Sequence, residues 1–234
     1  PMIAMEMLYS YVEARRQMIV EGFELLAVEY SFAVPLSPTN PDLFYCGRID
    51  KVVWRRKDGA IFGLDHKTTT SYKIGGPFKN NFTESFSPNS QIDGYTYALM
   101  MKYPGERVKG VIIDAALVHK QEHEFRLFPQ ERRPAQLERW LWEVHYYIED
   151  MQRNKAALEA ASKTASYLTA YPMDDASCTD MYGRCPYLGV CQTVDNPERL
   201  VEPPEGFTVR YWEPYKFEEL EKIAAAPTGA RRKK

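Results

Sequence analysis

The sequence predicts an α/β protein, with a central mixed β-sheet flanked by α-helices and a cysteine-containing C-terminal lobe. Three observations predict it. Residues 44–67 read as two extended runs about an Asp-Gly pair of the kind that closes a tight hairpin. Residues 108–118, VKGVIIDAALV, are a continuous apolar run that suits a strand covered on both faces. Helical periodicity runs through residues 2–22, 89–103 and 134–161, before, between and after these strands.

Taken in order, residues 2–22 form a first helix whose stripe is Met5, Leu8, Val12 and Ile19, with Glu13, Arg15, Arg16 and Glu21 outside it and Gly22 as its stop. This spacing predicts a helix packed on the core through that stripe. Residues 24–36 follow as a strand ending at Pro35, and the segment 37–42, with two prolines, is a loop. The hairpin Phe44–Trp54 and Ala60–Lys67 turns through Lys57-Asp58-Gly59. A long connection then reaches Ser87. It carries Tyr72, Phe78, Phe82 and Phe86 with Lys73 and Lys79 between them, a mixture that suits either stacking on unpaired bases or a loop pinned to the core by its aromatics.

Ser87-Pro88 opens the helix 89–103, and residues 122–128 pair as a hairpin with the apolar strand 108–118. The longest helix starts at Pro134, with Leu137, Trp140, Val144, Ile148 and Met151 as a core stripe and Arg139, Glu143, Glu149 and Arg153 as its solvated face. Beyond Cys191 the chain reads as a peripheral wrap: a linker at 201–204, a short edge strand at 207–212, a helix at 214–225, and a disordered basic tail over 226–234.

Composition excludes several function classes. The 234 residues, 44% hydrophobic, are enough to fill one sizeable core. The net charge of −2 gives no bulk attraction to polyanions, so any nucleic-acid groove must be a local patch. No apolar run approaches the roughly 20 residues of a membrane span, and the start lacks a signal-peptide pattern, which predicts no membrane partner and a cytoplasmic location. A first residue of Pro rather than Met suggests a cleaved tag or a segment cut from something longer.

The hairpin carries the chemistry. Asp65 and Lys67 project from one face of their strand while His66 points to the other. Should Asp50 of the partner strand share that face, two carboxylates and an ammonium converge. Two carboxylates suffice for a hard divalent cation that keeps several waters and takes a phosphate oxygen. Such a cation polarises a phosphoryl group and acidifies a water, and a neighbouring lysine offsets transition-state charge. The plainer alternative is an amphipathic hairpin whose Asp and Lys form a weak surface pair.

Gly47-Arg48-Ile49-Asp50, then Leu64-Asp65-His66-Lys67-Thr68, then Gln91-Ile92-Asp93-Gly94-Tyr95, in this order and spacing, resembles the PD-(D/E)XK nucleases. The likeness is to the RecB-like branch, which includes the CRISPR adaptation nucleases and many phage exonucleases, and it runs from about Glu24 to Cys191. It implies a restriction-endonuclease-like core over residues 1–170. It implies that Asp50 and Asp65 ligate magnesium or manganese, that Glu29 is a further acidic member of that site, that Lys67 is catalytic, and that Gln91 and Tyr95 contact the substrate backbone or support the site. The implied partners are DNA, as single strands or duplex ends, and a recombination or helicase protein, in a bacterial or phage-infected cell. Members of the family carry a metal-site histidine on a helix upstream of the Glu29 strand, whereas the first histidine here is His66. The competing expectation is therefore a catalytically impaired module of the same fold that grips DNA or a partner protein.

Cys178, Cys185 and Cys191 fall within fourteen residues, separated by six and then five. In a cytoplasmic protein such clustering points to a metal rather than a disulfide, though not to a zinc knuckle. The triplet resembles the C-terminal ligands of iron-sulfur RecB-like nucleases, which implies a 4Fe-4S cluster provided that an upstream cysteine completes it. The only other cysteine is Cys46. A zinc ion and a lobe that packs without metal stand beside that reading, and residues 171–225 are assigned to this lobe.

Overall fold

A computed structural model describes residues 2–40, 42–70, 77–120, 122–180 and 183–210. They divide into two compact units, with the boundary after Leu141, inside the longest helix. Among the described residues no helix is long and apolar enough to cross a membrane.

The first unit is built on a five-stranded mixed sheet of order β1-β2-β3-β4-β5. After helix α1 (Met2–Gly22), strands β1 (Phe23–Pro35), β2 (Phe44–Arg55) and β3 (Ala60–Thr70) form an antiparallel meander. Gly59, at φ +67°, supplies the left-handed residue that the β2–β3 turn needs. A short helix α2 (Asn80–Glu84) and helix α3 (Ser90–Lys102) then cross over, so β4 (Val108–Val118) joins β3 in parallel. Strand β5 (His123–Glu131) closes the other edge antiparallel to β4. Pro129 is tolerated there because an edge strand has one row of amides without ladder partners.

Helix α3 starts at Asn89, whose side chain accepts the Ile92 N–H. It buries Ile92, Tyr95, Ala98 and Leu99 against Phe32, Ile49, Val52, Ile61, Val111 and Ile113 of the sheet. Truncating a fully buried leucine such as Leu99 to alanine costs about 2–5 kcal/mol in sites of this kind. Helix α4 (Pro134–Ala160) adds Leu137 and Trp140 to the buried residues; the Trp140 ring meets Tyr45 edge-on and its Nε1 donates to Ser90 Oγ at 2.9 Å.

Helix α1 forms over the expected residues but presents another face. Met5, Leu8 and Val12 are 55–57% exposed, whereas Arg15 is buried and Tyr11 half-buried. The cause lies in β4: Asp114 interrupts an apolar run and is buried. A buried carboxylate without partners costs more than a few apolar contacts return, so α1 turns its tyrosine and arginine inward.

The connection after β3 also differs from a base-stacking loop. Thr68–Thr70 extend the strand, Phe78 and Phe86 are core residues, and Phe82 stacks on Phe78 and edge-on to Phe86. These three rings are used up in packing. Tyr72 and Lys73 lie outside the described residues.

In the second unit, Val144 and Ile148 of α4 are half-buried and Met151 is exposed. The buried side chain of Asn196 ties its turns together: its Nδ2 donates to the carbonyls of Ser162 and Ala165 while its Oδ1 caps Glu198 N–H. A two-stranded ribbon, β6 (Thr179–Asp180) and β7 (Gly183–Arg184), precedes helix α5 (Leu188–Thr193). Residues 207–210 show no regular structure; the rest of the expected edge strand, the helix 214–225 and the tail lie outside the described residues.

Candidate active site

The pairing of β2 with β3 runs from Arg55↔Ala60 to Lys51↔Leu64 and stops there. Beyond that pair β2 continues along β1 and β3 along β4, so the two strands part. Asp50 and Asp65 are the first residues past the last pair. The parting frees the His66 backbone N–H from the ladder, and it donates instead to Asp50 Oδ2 at 2.9 Å.

Strand alternation puts Asp65 and Lys67 on the face covered by α3. Asp65 is buried, and Lys67 Nζ stands 2.8 Å from its Oδ2. The contact is close but poorly directed, which leaves this buried oxygen without a well-formed hydrogen bond. Burial pushes the Asp65 carboxyl up from its ordinary pKa; Lys67 works against that, and the neighbouring Asp50 adds to it.

Two carboxylates side by side, one desolvated and carrying an orphaned oxygen, fit a small hard cation. Asp50 and Asp65 are the residues that would hold it, and Lys67 stands at the edge of the same volume.

Helix α3 supports the strand from beneath. Gln91 and Tyr95 lie one turn apart, Gln91 Nε2 donates to Tyr95 Oη at 3.0 Å, and Tyr95 Oη donates to the Arg48 carbonyl at 2.7 Å. Arg48 precedes Asp50 by two residues. Tyr95 is largely buried, its pKa raised by that burial.

Glu29 behaves differently. It has no ladder partner between the pairs Val28↔Lys51 and Tyr30↔Ile49, and its backbone is left-handed at φ +48°. Its carboxylate meets Arg48 Nε at 3.1 Å, with both side chains more than half exposed. Asp50, Asp65, Lys67, Gln91 and Tyr95 thus come together, while the ion-pair partner of Glu29 is Arg48. Among the described residues no three histidine, cysteine, aspartate or glutamate side chains form a metal-binding group.

The sequence profile of the PD-(D/E)XK nuclease superfamily matches residues 3–192. The chain belongs to this superfamily. A comparison with curated proteins returned no match. PD-(D/E)XK nucleases generally use divalent metals such as magnesium, in keeping with the carboxylate pair described above.

In this PD-(D/E)XK chain Cys178, Cys185 and Cys191 belong to the second unit and the carboxylates to the first. Cys178 and Cys185 flank the β6–β7 ribbon, with Cys185 N–H donating to the Cys178 carbonyl at 3.0 Å, and Cys191 lies on α5. Partial burial raises the Cys178 thiol pKa, and the nearby Cys185 and Cys191 add to this. Cys46 belongs to β2 in the other unit. Among the described residues this unit supplies three thiols, one short of the four thiolates that a 4Fe-4S cluster takes.

Several residues of the PD-(D/E)XK site region are not evident from motif spacing. On the far face of β3, the His66 imidazole lies between Lys51 and Asp114, and Tyr11 and Arg15 of α1 bind Asp114. One signal could have revealed them: a single acid inside the apolar run of β4 demands a buried donor from elsewhere.

Proposed function

We propose that the protein is a divalent-cation-dependent deoxyribonuclease of the RecB-like branch, an exonuclease that hydrolyses phosphodiester bonds in DNA recombination, repair or phage DNA processing. The observation that carries this reading is the buried Asp65, with its orphaned oxygen, between Asp50 and Lys67 where β2 and β3 part.

In this reading Asp50 and Asp65 hold magnesium or manganese. Such a cation, when bound, polarises the phosphoryl group and acidifies a water. Lys67, tethered by Asp65, donates hydrogen bonds to the attacking water and to the oxygens of the crowded phosphorus. The water gives up a proton to bulk solvent as its oxygen forms the new P–O bond and the bond to the leaving oxygen breaks, and the leaving oxygen takes up a proton from solvent. Gln91 and Tyr95 act beneath the site, holding the Arg48 carbonyl and hence the approach of β2 to Asp50. Glu29 joins the carboxylates only by exchanging its Arg48 contact for the cation, which would free Arg48 for a phosphate.

Linear duplex DNA and a covalently closed circle of the same sequence, incubated with the protein and magnesium, test the exonuclease claim. Digestion of the linear form with the circle left intact is expected. Equal cutting of both would replace the exonuclease by an endonuclease, and cutting of neither would leave a module that binds DNA or a protein partner.

A further inference from the structure

His66 separates Asp65 from Lys67 and points to the opposite face of the sheet, where α1 lies. The groups that meet it there are unusual for a sheet interior. Asp114 is its neighbour in the parallel ladder, with a side chain 1% exposed. Tyr11 Oη donates to Asp114 Oδ2 at 2.6 Å, and Arg15 Nε donates to Oδ1 at 3.0 Å. His66 Nδ1 stands 3.6 Å from the same Oδ2, Lys51 Nζ contacts its Nε2, and the Tyr11 ring meets the imidazole edge-on. Burial, followed by the bond to Asp114, raises the Tyr11 pKa and keeps the hydroxyl a donor.

A buried Arg–Asp pair is a poor way merely to fasten a helix, because well-packed apolar groups of similar volume do as well or better. Helix α1 has such groups, and they face solvent: Met5, Leu8 and Val12. What converging hydrogen bonds add is direction. Donors from successive turns of α1 fix one carboxylate, and that carboxylate lies beside the residue whose own N–H holds Asp50 Oδ2.

We propose that Tyr11, Arg15 and Asp114 are positioning residues for the carboxylate pair, acting through His66 from the opposite face of the sheet. By fixing the imidazole they fix the peptide that holds Asp50 and that joins Asp65 to Lys67. The inference rests on the nuclease reading above, since a cation bound by two carboxylates is sensitive to their separation. Groups that orient metal ligands typically matter by about 10–100-fold in affinity or activity.

Tyr11→Phe and Asp114→Asn test it, with Asp58→Asn as a control for an ion pair lost elsewhere in the same unit. Three quantities are measured on the full chain: manganese binding by calorimetry, steady-state cleavage of linear duplex DNA, and amide hydrogen exchange at His66 by NMR. In the first two variants manganese affinity and kcat are expected to fall about tenfold, with KM held within about twofold. The His66 amide is expected to exchange faster while those of Val111 and Ile112 keep their protection; Asp58→Asn leaves all three measurements unchanged. Tyr11→Phe removes a single hydroxyl, so it carries the test even where Asp114→Asn does not fold. Wild-type manganese affinity, kcat and His66 exchange in Tyr11→Phe would overturn the inference and leave the cluster a stabilising contact only. Failure of the wild-type protein to bind manganese or cleave DNA would instead overturn the nuclease reading, and His66 exchange would still decide whether the cluster holds the Asp50 bond.

Discussion

His66 donates its backbone N–H to Asp50 Oδ2 across the point where β2 and β3 separate. A main-chain donor replaces a ladder bond, so the geometry of the carboxylate pair is set by strand positions more than by side-chain rotamers.

Burial opposes ionisation of the Asp65 carboxyl more than Lys67 favours it, and its pKa is raised. Asp65→Asn is therefore expected to abolish cleavage while raising the thermal midpoint of the metal-free protein, by about 2–4 °C for each kcal/mol of strain relieved. Differential scanning calorimetry in EDTA checks it; a lower midpoint would show that the Lys67 contact outweighs desolvation.

Tyr95→Phe removes the donor to the Arg48 carbonyl and the acceptor for Gln91. A cost of about 1–2 kcal/mol in stability is expected, along with a cleavage rate lowered about tenfold through displacement of β2 near Asp50. Urea unfolding and single-turnover kinetics measure the two effects separately.

Gly94 of α3 faces Tyr45 of β2: a Cβ there would stand 2.3 Å from Tyr45 Oη, and the Tyr45 ring is backed by Trp140. Gly94→Ala is expected to destabilise the protein by about 1–3 kcal/mol although alanine is the better helix former. A midpoint at or above wild type would show that Tyr45 moves aside freely.

Asp58 offers a pH dependence remote from the carboxylate pair. Arg55 holds both of its oxygens, at 2.8 and 2.7 Å, and Lys109 stands 3.4 Å away. The hydrogen bonds from Arg55, above all, depress its carboxyl well below the usual range. In the unfolded chain Asp58 takes up its proton at the ordinary value of about pH 3.9. The stabilisation is thus complete above that pH and is lost as the pH falls toward the depressed folded value. Asp58→Asn should lower stability at pH 7 and shallow its acid dependence below about pH 4; parallel acid limbs for variant and wild type would contradict this.

Much of the first unit was legible in the sequence. The β2–β3 hairpin follows from alternation and an Asp-Gly turn, and the α3 pair follows from spacing alone, since Gln91 and Tyr95 must share a helical face. The inward face of α1 was not legible, because the reason for it, Asp114, lies 99 residues from Arg15. Hydrophobic periodicity picked out Met5, Leu8 and Val12, and a buried carboxylate overrode it. Phe78, Phe82 and Phe86 could be read as core or as stacking platform; Phe78 and Phe86 pack on Phe128 of the distant strand β5, and Phe82 packs on both. The left-handed backbone of Glu29 and its Arg48 partner carry no local signal at all.

The most direct test of the central claim is cleavage of end-labelled single- and double-stranded DNA by the protein and by Lys67→Ala, each with magnesium, manganese or EDTA. Cleavage that needs the divalent ion and falls at least about 100-fold in Lys67→Ala is expected, with manganese binding retained by the variant. Cleavage that persists in EDTA, or that Lys67→Ala leaves unchanged, would contradict the assignment of Asp50, Asp65 and Lys67 as the site.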